Sequence, residues 1–325
     1  MNDVALTGVR PEEVLALIRS RAARASRDDG HRLALVVEGG AMRGIYTAGS
    51  LLALHTMGLS RVFDDVYGTS AGAVNAAHFL SGDGHLKVDT YYRLLSDKRF
   101  LNRWRFWKIA DIDYFTDEVL ARTRPLLVDR VMASPTRLWV SVGDFISAKP
   151  QLFHAQSGNH PLLKILKAAV AMPIVYNKLI ALGNAQGFDA GFFNPFPLRE
   201  AIAHRCTHVA VLLTQPATHR CLTRTWMQRL LFDCHFARGN QPLSRLFVES
   251  SDAVNQLLDL AHGRAKEQPA RISIATLSPI AASVGSTTQE RDKLRAALVQ
   301  TAKGTLQLFG ESTGQIDDWL KAGVI

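Results

Sequence analysis

Short apolar runs recur along this chain, separated by longer segments whose apolar residues are spaced as on one face of a helix. The run Leu33–Val37 is uniformly apolar, and further runs lie at 62–67, 138–142, 209–213 and 271–277. Uniformly apolar runs of this length are typical of strands that are covered on both faces of a sheet. Because helical segments separate the runs, we predict an α/β fold in which a mostly parallel sheet lies between layers of helices.

The patterns predict three parts along the chain. Residues 1–31 are expected to form an N-terminal helical extension around an amphipathic helix at Pro11–Arg24. Residues 32–215 contain the alternating strands and helices of the core. Residues 216–325 are expected to form a C-terminal helical region, in which the run at 271–277 is an edge strand. With 325 residues and 47% hydrophobic composition, the chain can bury a large core.

A sharp strand-to-helix turn is predicted at Gly68-Thr69-Ser70-Ala71-Gly72, where the run at 62–67 ends. Small residues on both sides permit such a turn, which lifts the central side chain clear of the sheet. The first amides of the following helix then point towards the position where a tetrahedral oxyanion would form. Ser70 is therefore the candidate nucleophile.

The first strand leads into a glycine-rich loop that precedes a second predicted helix. The loop residues are Glu38, Gly39, Gly40, Ala41, Met42, Arg43 and Gly44. Amides beside glycine are unblocked and can bind an oxyanion, and parallel strands would bring this loop and Ser70 to the same sheet edge. Arg43 lies in the first helical turn, where a cation opposes the helix dipole. It either holds the loop, meets a phosphate or is simply solvated.

A third segment, 187–191, contains Asp189 between two glycines. Just before it, the small-residue segment 168–173 ends in a proline. An aspartate between glycines is by itself typical of a turn. Here it does not stand alone, because the small-residue segment precedes it and Asn194-Pro195-Phe196-Pro197 follows it before another predicted helix and strand.

Together these motifs resemble those of the patatin-like phospholipases, which are lipid acyl hydrolases with a Ser–Asp dyad. The resemblance covers roughly residues 32–215 and implies the three-layer patatin-like fold, no cofactor, and a lipid or phospholipid substrate. It implies Ser70 as nucleophile and Asp189 as base. It implies an oxyanion hole at Gly39, Gly40, Ala41 and Arg43, with motif glycines at Gly44, Gly68, Gly72 and Gly191.

Two positions depart from the pattern of that family. Ala41 and Ala190 stand where its members usually have glycine. An alanine held at positive φ costs on the order of 1 kcal/mol, so slightly altered turns are expected at both positions.

Other readings of the serine motif stay open. A Ser-His-Asp esterase of the α/β-hydrolase type would take its base from the histidines that follow Asp189, which are His204, His208, His219, His235 and His262. A catalytically silent, membrane-binding relative is a second alternative. A dinucleotide-binding module is disfavoured, because Asp64 and Asp65 come at the start of the second strand and no acidic residue ends it.

The net charge of +9 and pI near 9.7 predict attraction to anionic partners. Within a mostly helical insertion at 91–137, the stretch 98–108 alternates cations with aromatic residues that include Trp104 and Trp107. Such a stretch suits an anionic membrane interface, although the two tryptophans could equally be core residues under a basic helix face. No RNA-recognition or helix-turn-helix signature accompanies it, so no nucleic-acid partner is expected.

Cysteine usage and the hydropathy profile favour a cytoplasmic protein, peripheral at most to a membrane. The three cysteines show no paired spacing, which argues against a disulfide framework. No zinc or calcium spacing is present, so no metal site is expected. The sequence contains no run of about 18 apolar residues and no apolar signal-peptide core in residues 1–32.

Overall fold

The structure, a computed structural model, describes residues 3–102, 104–105, 108–176, 178–268 and 271–325. These residues form a nine-stranded sheet. Its strands are β1 Val4–Val9, β2 Leu33–Val37, β3 Asp65–Thr69, β4 Arg137–Asp144, β5 Lys149–His154, β6 Ile180–Leu182, β7 Ala185–Asp189, β8 His208–Leu212 and β9 Ser273–Pro279. The order across the sheet is β1-β9-β8-β2-β3-β4-β7-β6, and β5 pairs with β4 outside this order.

Helices cover both faces of the sheet. They are α1 Pro11–Arg24, α2 Gly44–Thr56, α3 Ala71–Ser81, α4 Thr90–Arg93, α5 Val128–Met132, α6 Leu162–Val170, α7 Leu198–Ala203, α8 Trp226–Phe232, α9 Gln241–Ala261, α10 Arg291–Phe309 and α11 Gly314–Lys321. Two π-helical segments, Tyr114–Thr123 and Asp233–Ala237, add to them.

The two-sided burial of β2 shows why the sheet lies inside the molecule. Its residues Leu33, Leu35 and Val37 join one hydrophobic core with α1, α2, α3 and α10. The alternate residues Ala34 and Val36 join a second core with α7 and α9. Because successive side chains of a strand point to opposite faces, a uniformly apolar strand needs cover on both. The strands from β9 to β4 pair in parallel, so the predicted α/β fold is confirmed.

The prediction that 271–277 forms an edge strand was wrong. β9 pairs in parallel with β8 on one side and antiparallel with β1 on the other. Every residue of β9 is buried, which fits an interior strand. The edge is β1, in a segment that was expected to be helical, and its mostly half-buried residues lack the uniform apolar run that identified the other strands. The helix Pro11–Arg24 was predicted correctly.

Strand register brings two of the loops at the carboxyl edge together. β4 carries β5 along Trp139–Asp144 on one edge. Two strands pair with its other edge, one after the other. β3 pairs with β4 as far as Thr69, which lies opposite Ser141, and β7 pairs with the next residues, starting with Asp189 opposite Val142. Ser70 follows Thr69 directly. The sheet therefore places Ser70 next to Asp189.

Candidate active site

Ser70 lies in a strained turn between β3 and α3. Its backbone has φ 54° and ψ −133°, a conformation that non-glycine residues rarely adopt and that is typical of functional turns. The turn is possible because its neighbours are small. A Cβ on Gly68 would lie 2.6 Å from the Cα of Ala73, and a Cβ on Gly39 would lie 2.6 Å from the Ser70 Cβ.

The Ser70 hydroxyl donates a hydrogen bond of 2.6 Å to Asp189 Oδ2. The other carboxylate oxygen, Oδ1, accepts from the Gly191 amide at 2.8 Å, which orients the carboxylate. Both Ser70 and Asp189 are buried. Burial raises the pKa of the Asp189 carboxyl to about 6, although the hydrogen bonds from Ser70 and Gly191 oppose the shift. A carboxylate with this pKa can accept a proton near neutral pH.

Two amides of the glycine-rich loop lack a protein acceptor among the described residues, namely those of Gly40 and Ala41. Both residues border the space beside Ser70. The Gly39 amide instead donates to the Pro195 carbonyl at 3.1 Å, so it fixes the loop. Ala41 has φ 51°, which is the strained conformation expected at this position, whereas Ala190 stays in an unstrained region.

The Arg43 side chain lies over the same loop. Its Nε atom would be 3.2 Å from a Cβ on Gly40, and it is buried without a hydrogen-bond partner among the described residues. The nearby Glu38 carboxylate accepts from the Thr214 amide and from its hydroxyl, at 2.5 and 2.8 Å. Burial raises the pKa of Glu38, and the Arg43 charge opposes that shift.

None of the candidate histidines hydrogen-bonds to Ser70 or Asp189 in the part of the chain that the structure describes. His204 contacts the Tyr67 hydroxyl, His208 contacts Thr207, His262 contacts Thr7 and His235 contacts the Leu231 carbonyl. His219 differs from the other four in its position, because it lines the space beside Ser70.

Two cavities meet at the Ser70–Asp189 pair. The first, of about 130 Å³, is the apolar cavity, and its walls include Val74, Leu95, Leu101, Ile112, Phe115 and Val170. The second, of about 310 Å³, is the polar cavity, and its walls include Glu38, Arg43, Gln215, His219 and Arg224. Ala41, Ser70, Met172, Asp189 and Ser286 border both. A substrate held at Ser70 can therefore extend in two directions of different polarity.

A sequence model of the patatin-like phospholipases matches residues 35–202, a little over half of the chain. That range contains β2 to β7, the glycine-rich loop, Ser70 and Asp189. The chain belongs to the patatin-like phospholipase family.

Three similar proteins can be named for this patatin-like chain. The Escherichia coli K12 protein described as "Uncharacterized protein YjjU" is 28% identical over 205 residues, which cover 61% of this chain. The chain spans only 56% of that relative's length. VipD from Legionella pneumophila has a TM-score of 0.47 and 14% identity, over 87% of this chain and 67% of that one. Human GIVD cytosolic phospholipase A2, in complex with a fluorophosphonate inhibitor and terbium chloride, has a TM-score of 0.48 and 12% identity. The match covers 99% of this chain and 66% of that chain.

The insertion predicted at 91–137 lines the apolar cavity of this patatin-like protein. Phe100, Leu101, Ile109, Ile112, Phe115 and Leu120 all contribute to its walls. Within the basic aromatic stretch, Trp104 is 85% exposed and is not a core residue. Arg103, Phe106 and Trp107 lie outside the described residues, so the prediction for them stays a prediction.

Three cations of that stretch, Arg99, Arg105 and Lys108, make contacts within the protein. Arg105 donates to the carbonyls of Lys98 and Arg99. Lys108 pairs with Asp111 at 2.7 Å, and the Arg99 guanidinium lies over the Tyr114 ring at 4.2 Å. These contacts give the cations a structural role in shaping the insertion.

Sequence reasoning missed Arg224, Phe192 and Met172, which line the site from outside the three motifs. Arg224 precedes α8 by two positions and carries no motif that could have marked it. Only its position in the folded chain identifies it.

The described residues contain neither a cluster of metal-binding side chains nor a membrane-spanning helix. No group of three or more histidine, cysteine, aspartate or glutamate side chains is arranged to hold a metal ion. Across those same residues, each helix is too short or too polar to pass through a bilayer.

Proposed function

We propose that the protein is a serine acyl-ester hydrolase of lipids that uses a Ser70–Asp189 dyad. The observation that carries the proposal is the 2.6 Å hydrogen bond from the Ser70 hydroxyl to the buried Asp189 carboxylate. It lies where an apolar cavity meets a polar one. A serine needs a positioned base to attack an ester, and here a carboxylate occupies the position of that base.

In the proposed mechanism, Asp189 accepts the Ser70 proton while Ser70 Oγ forms a bond to the ester carbonyl carbon. The Gly40 and Ala41 amides, with Arg43 nearby, stabilise the oxyanion, because these loop donors have no acceptor among the described residues. The proton then passes from Asp189 to the leaving alcohol as the ester bond breaks. Water then attacks the acyl-serine and gives a proton to Asp189. The bond between Ser70 Oγ and the acyl carbon breaks as Asp189 returns that proton to Oγ, and the fatty acid leaves.

A fatty acyl chain suits the apolar cavity, because that cavity is walled by aliphatic and aromatic side chains next to Ser70. A buried histidine in its wall, His78, adds no charge, since burial lowers its pKa to about 4. We therefore propose a phospholipid or a related acyl ester as the substrate, without a metal or cofactor.

The Ser-His-Asp alternative is less well supported. A triad would need an imidazole between the serine and the carboxylate, whereas Ser70 contacts Asp189 directly. A measurement of ester hydrolysis distinguishes the catalytically silent alternative from an active enzyme. The intact dyad geometry and the acceptor-free amides favour an active enzyme.

Peripheral contact with an anionic membrane on the cytoplasmic side is part of the proposal. The chain carries a net charge of +9, and α8 exposes an apolar face that includes Trp226, Met227, Leu230 and Leu231. An exposed apolar face beside arginines fits an anionic bilayer. Because α8 begins directly after the segment that contributes Arg224 to the polar cavity, a bilayer docked there would lie near the site.

Hydrolysis of a short-chain p-nitrophenyl ester tests the proposal. The wild-type protein should show activity, and Ser70→Ala should abolish it without lowering the Tm, because the hydroxyl is the proposed nucleophile. The exposed Ser283 serves as the control, since Ser283→Ala removes a hydroxyl away from both cavities. An inactive wild-type protein, or an active Ser70→Ala variant, would refute the proposal.

A further inference from the structure

The polar cavity contains two arginines without an anionic partner among the described residues. Neither Arg43 nor Arg224 forms a salt bridge or donates a hydrogen bond there, and the Nε atom of each is buried. Both side chains border the cavity that reaches Ser70. A buried N–H that loses water without gaining an acceptor costs stability, and an anion that entered the cavity could supply the acceptor that each Nε–H lacks.

Aromatic rings position Arg224 without neutralising it. Its guanidinium carbon lies 4.9 Å from the centre of the Phe247 ring and 5.6 Å from that of Phe192. Stacking on aromatic faces holds the planar group while its N–H donors stay available for a bidentate contact. Burial lowers the pKa of Arg224, which reflects incomplete solvation of its charge.

The remaining groups of the cavity do not compensate the two charges. Burial and the Arg43 charge lower the pKa of His219, so its imidazole is neutral near pH 7 and adds a neutral hydrogen-bonding group. Burial raises the pKa of Glu38, and its carboxylate is engaged by Thr214. Burial also raises the pKa of the Cys221 thiol. Among the described residues that line the cavity, two arginines therefore face two carboxyl groups, those of Glu38 and of the dyad aspartate, and burial disfavours the charged form of both.

We infer that the polar cavity is a subsite for the phosphate of a phospholipid headgroup, with Arg224 as its principal ligand and Arg43 as its second. This inference rests on the proposed function. A phosphate lies only a few bonds from the acyl ester of a glycerophospholipid, which matches a polar cavity and an apolar cavity that share Ser70 and Asp189 as common walls. Arginine binds phosphate through paired N–H donors. A neutral glyceride would leave both arginines unpaired.

Substrate discrimination tests the subsite. The probes are monomeric dihexanoyl phosphatidylglycerol and dihexanoylglycerol, which share their acyl chains and differ in the phosphate. In Arg224→Gln, the ratio of kcat/KM for the phospholipid to that for the diacylglycerol should fall about 10-fold, about 1.4 kcal/mol. Arg224→Lys should retain more of the ratio, because it keeps the charge and loses the bidentate geometry.

The control is Arg245→Gln, an identical change at an exposed position of α9 that does not border the cavity. Its ratio should equal that of the wild-type protein. An unchanged ratio in Arg224→Gln would overturn the subsite. So would an equal loss on both substrates with a lowered Tm, because Arg224 would then be structural.

A direct measurement of lipid binding distinguishes failure of this inference from failure of the proposed function. Calorimetry on Ser70→Ala should show dihexanoyl phosphatidylglycerol binding that weakens about 10-fold when Arg224→Gln is added. If wild-type protein hydrolyses neither lipid while this dependence holds, the proposed function fails and the subsite stands. If both lipids are hydrolysed with an unchanged ratio, the subsite fails alone. Inorganic phosphate should bind at least about 10-fold more weakly than the lipid, and equal affinity would assign the cavity to free phosphate and overturn the headgroup proposal.

Discussion

The carboxyl group of Asp189 sets the expected pH dependence of the activity. Burial raises its pKa to about 6 in the free protein, and only the carboxylate can accept the Ser70 proton. The kcat/KM for a soluble ester should therefore fall as the pH drops through about 6 and reach a plateau above it. A pH profile between about 4.5 and 8 measures this, and a profile that stays flat below pH 5 would contradict the role of Asp189 as base.

The substitution Gly40→Val tests whether the glycine-rich loop stabilises the oxyanion. A Cβ at this position would meet Thr214 Oγ1 and the Arg43 side chain at 3.2 Å, which are contacts that movable side chains can relieve. Gly40→Val should fold, but its side chain should displace the loop amide from the oxyanion position, because Gly40 lines the space beside Ser70. The kcat should then fall about 10²-fold, since loss of one oxyanion donor costs about 2.7–4 kcal/mol. Steady-state kinetics measure the effect. Normal kcat with a raised KM would show that the loop only binds substrate.

Sequence alone could identify the residues whose motifs require a particular local geometry. Ser70 and Asp189 were predicted because a strand-to-helix turn and a glycine-flanked aspartate leave a recognisable pattern. The strain at Ala41 was also predictable, from the missing glycine. The engagement of the Gly39 amide by Pro195 was not, because that contact joins segments about 150 residues apart in sequence and depends on how the loops pack.

Helix α8 and the stretch 98–108 are the two elements proposed for contact with a membrane. Trp226 and Leu230 lie one helical turn apart and are 72% and 53% exposed, so truncating both should leave the Tm unchanged. Trp226→Ala combined with Leu230→Ala should reduce co-sedimentation with phosphatidylglycerol vesicles about 10-fold, because exposed apolar side chains contribute by leaving water. Low and high salt separate the apolar contribution from the ionic one.

Trp104→Ala is the matched variant for the stretch 98–108, since Trp104 is also exposed and aromatic. If it weakens vesicle binding while the α8 variant does not, the contact assigned to α8 is wrong. If neither variant changes vesicle binding, neither element docks on the bilayer.

Strand assignment shows where the sequence pattern stops being informative. β2 was predicted to the residue because burial on both faces demands a uniformly apolar run. β1 was missed because an edge strand can be half exposed, and its pairing with β9 joins segments far apart in sequence. The interior position of β9 follows from that pairing, so it could not be read from residues 271–277 alone.

For the whole molecule, Arg21 ties the N-terminal segment to the sheet. It is 1% exposed, and it donates to Asp29 Oδ1 and Oδ2 at 2.8 Å, and to Asp64 Oδ2 at 2.7 Å. Arg21→Met should lower the free energy of unfolding by about 3 kcal/mol, because the buried contacts to both carboxylates are lost. Among the described residues, only the outer ion pairs then remain, from Arg24 to Asp29 at 3.2 Å and from Arg27 to Asp64 at 3.9 Å. Thermal or urea unfolding measures the loss. An unchanged stability would show that these carboxylates are adequately solvated without Arg21.

The pH dependence of that stability follows from Asp29. The hydrogen bond from Arg21 holds its pKa well below the usual range. A depressed folded-state pKa contributes stability above the unfolded pKa near 4 and loses it as the pH falls towards the folded value. The stability difference between wild type and Arg21→Met should therefore be largest at neutral pH and shrink in acid.

The three parts predicted along the sequence share one hydrophobic core. Val14 of α1, Leu51 of α2 and Leu298 of α10 belong to the same buried cluster. Thr305 of α10 also bonds to Ser50 of α2 at 3.1 Å, in the helix that follows the glycine-rich loop. The C-terminal helices thus support the loop beside Ser70, a long-range packing that no local pattern could predict. The boundaries at 31 and 215 remain a prediction.

In the proposed dyad, Asp189 activates Ser70 without an intervening histidine. Mapping a fluorophosphonate adduct by mass spectrometry tests this arrangement. We predict one adduct, on the peptide that contains Ser70, formed at the same rate in wild type and in His204→Ala. In Asp189→Asn, the labelling rate should fall by at least about 10³-fold, since no other base contacts the hydroxyl among the described residues. Rapid labelling of Asp189→Asn, or an adduct on another serine, would contradict the dyad.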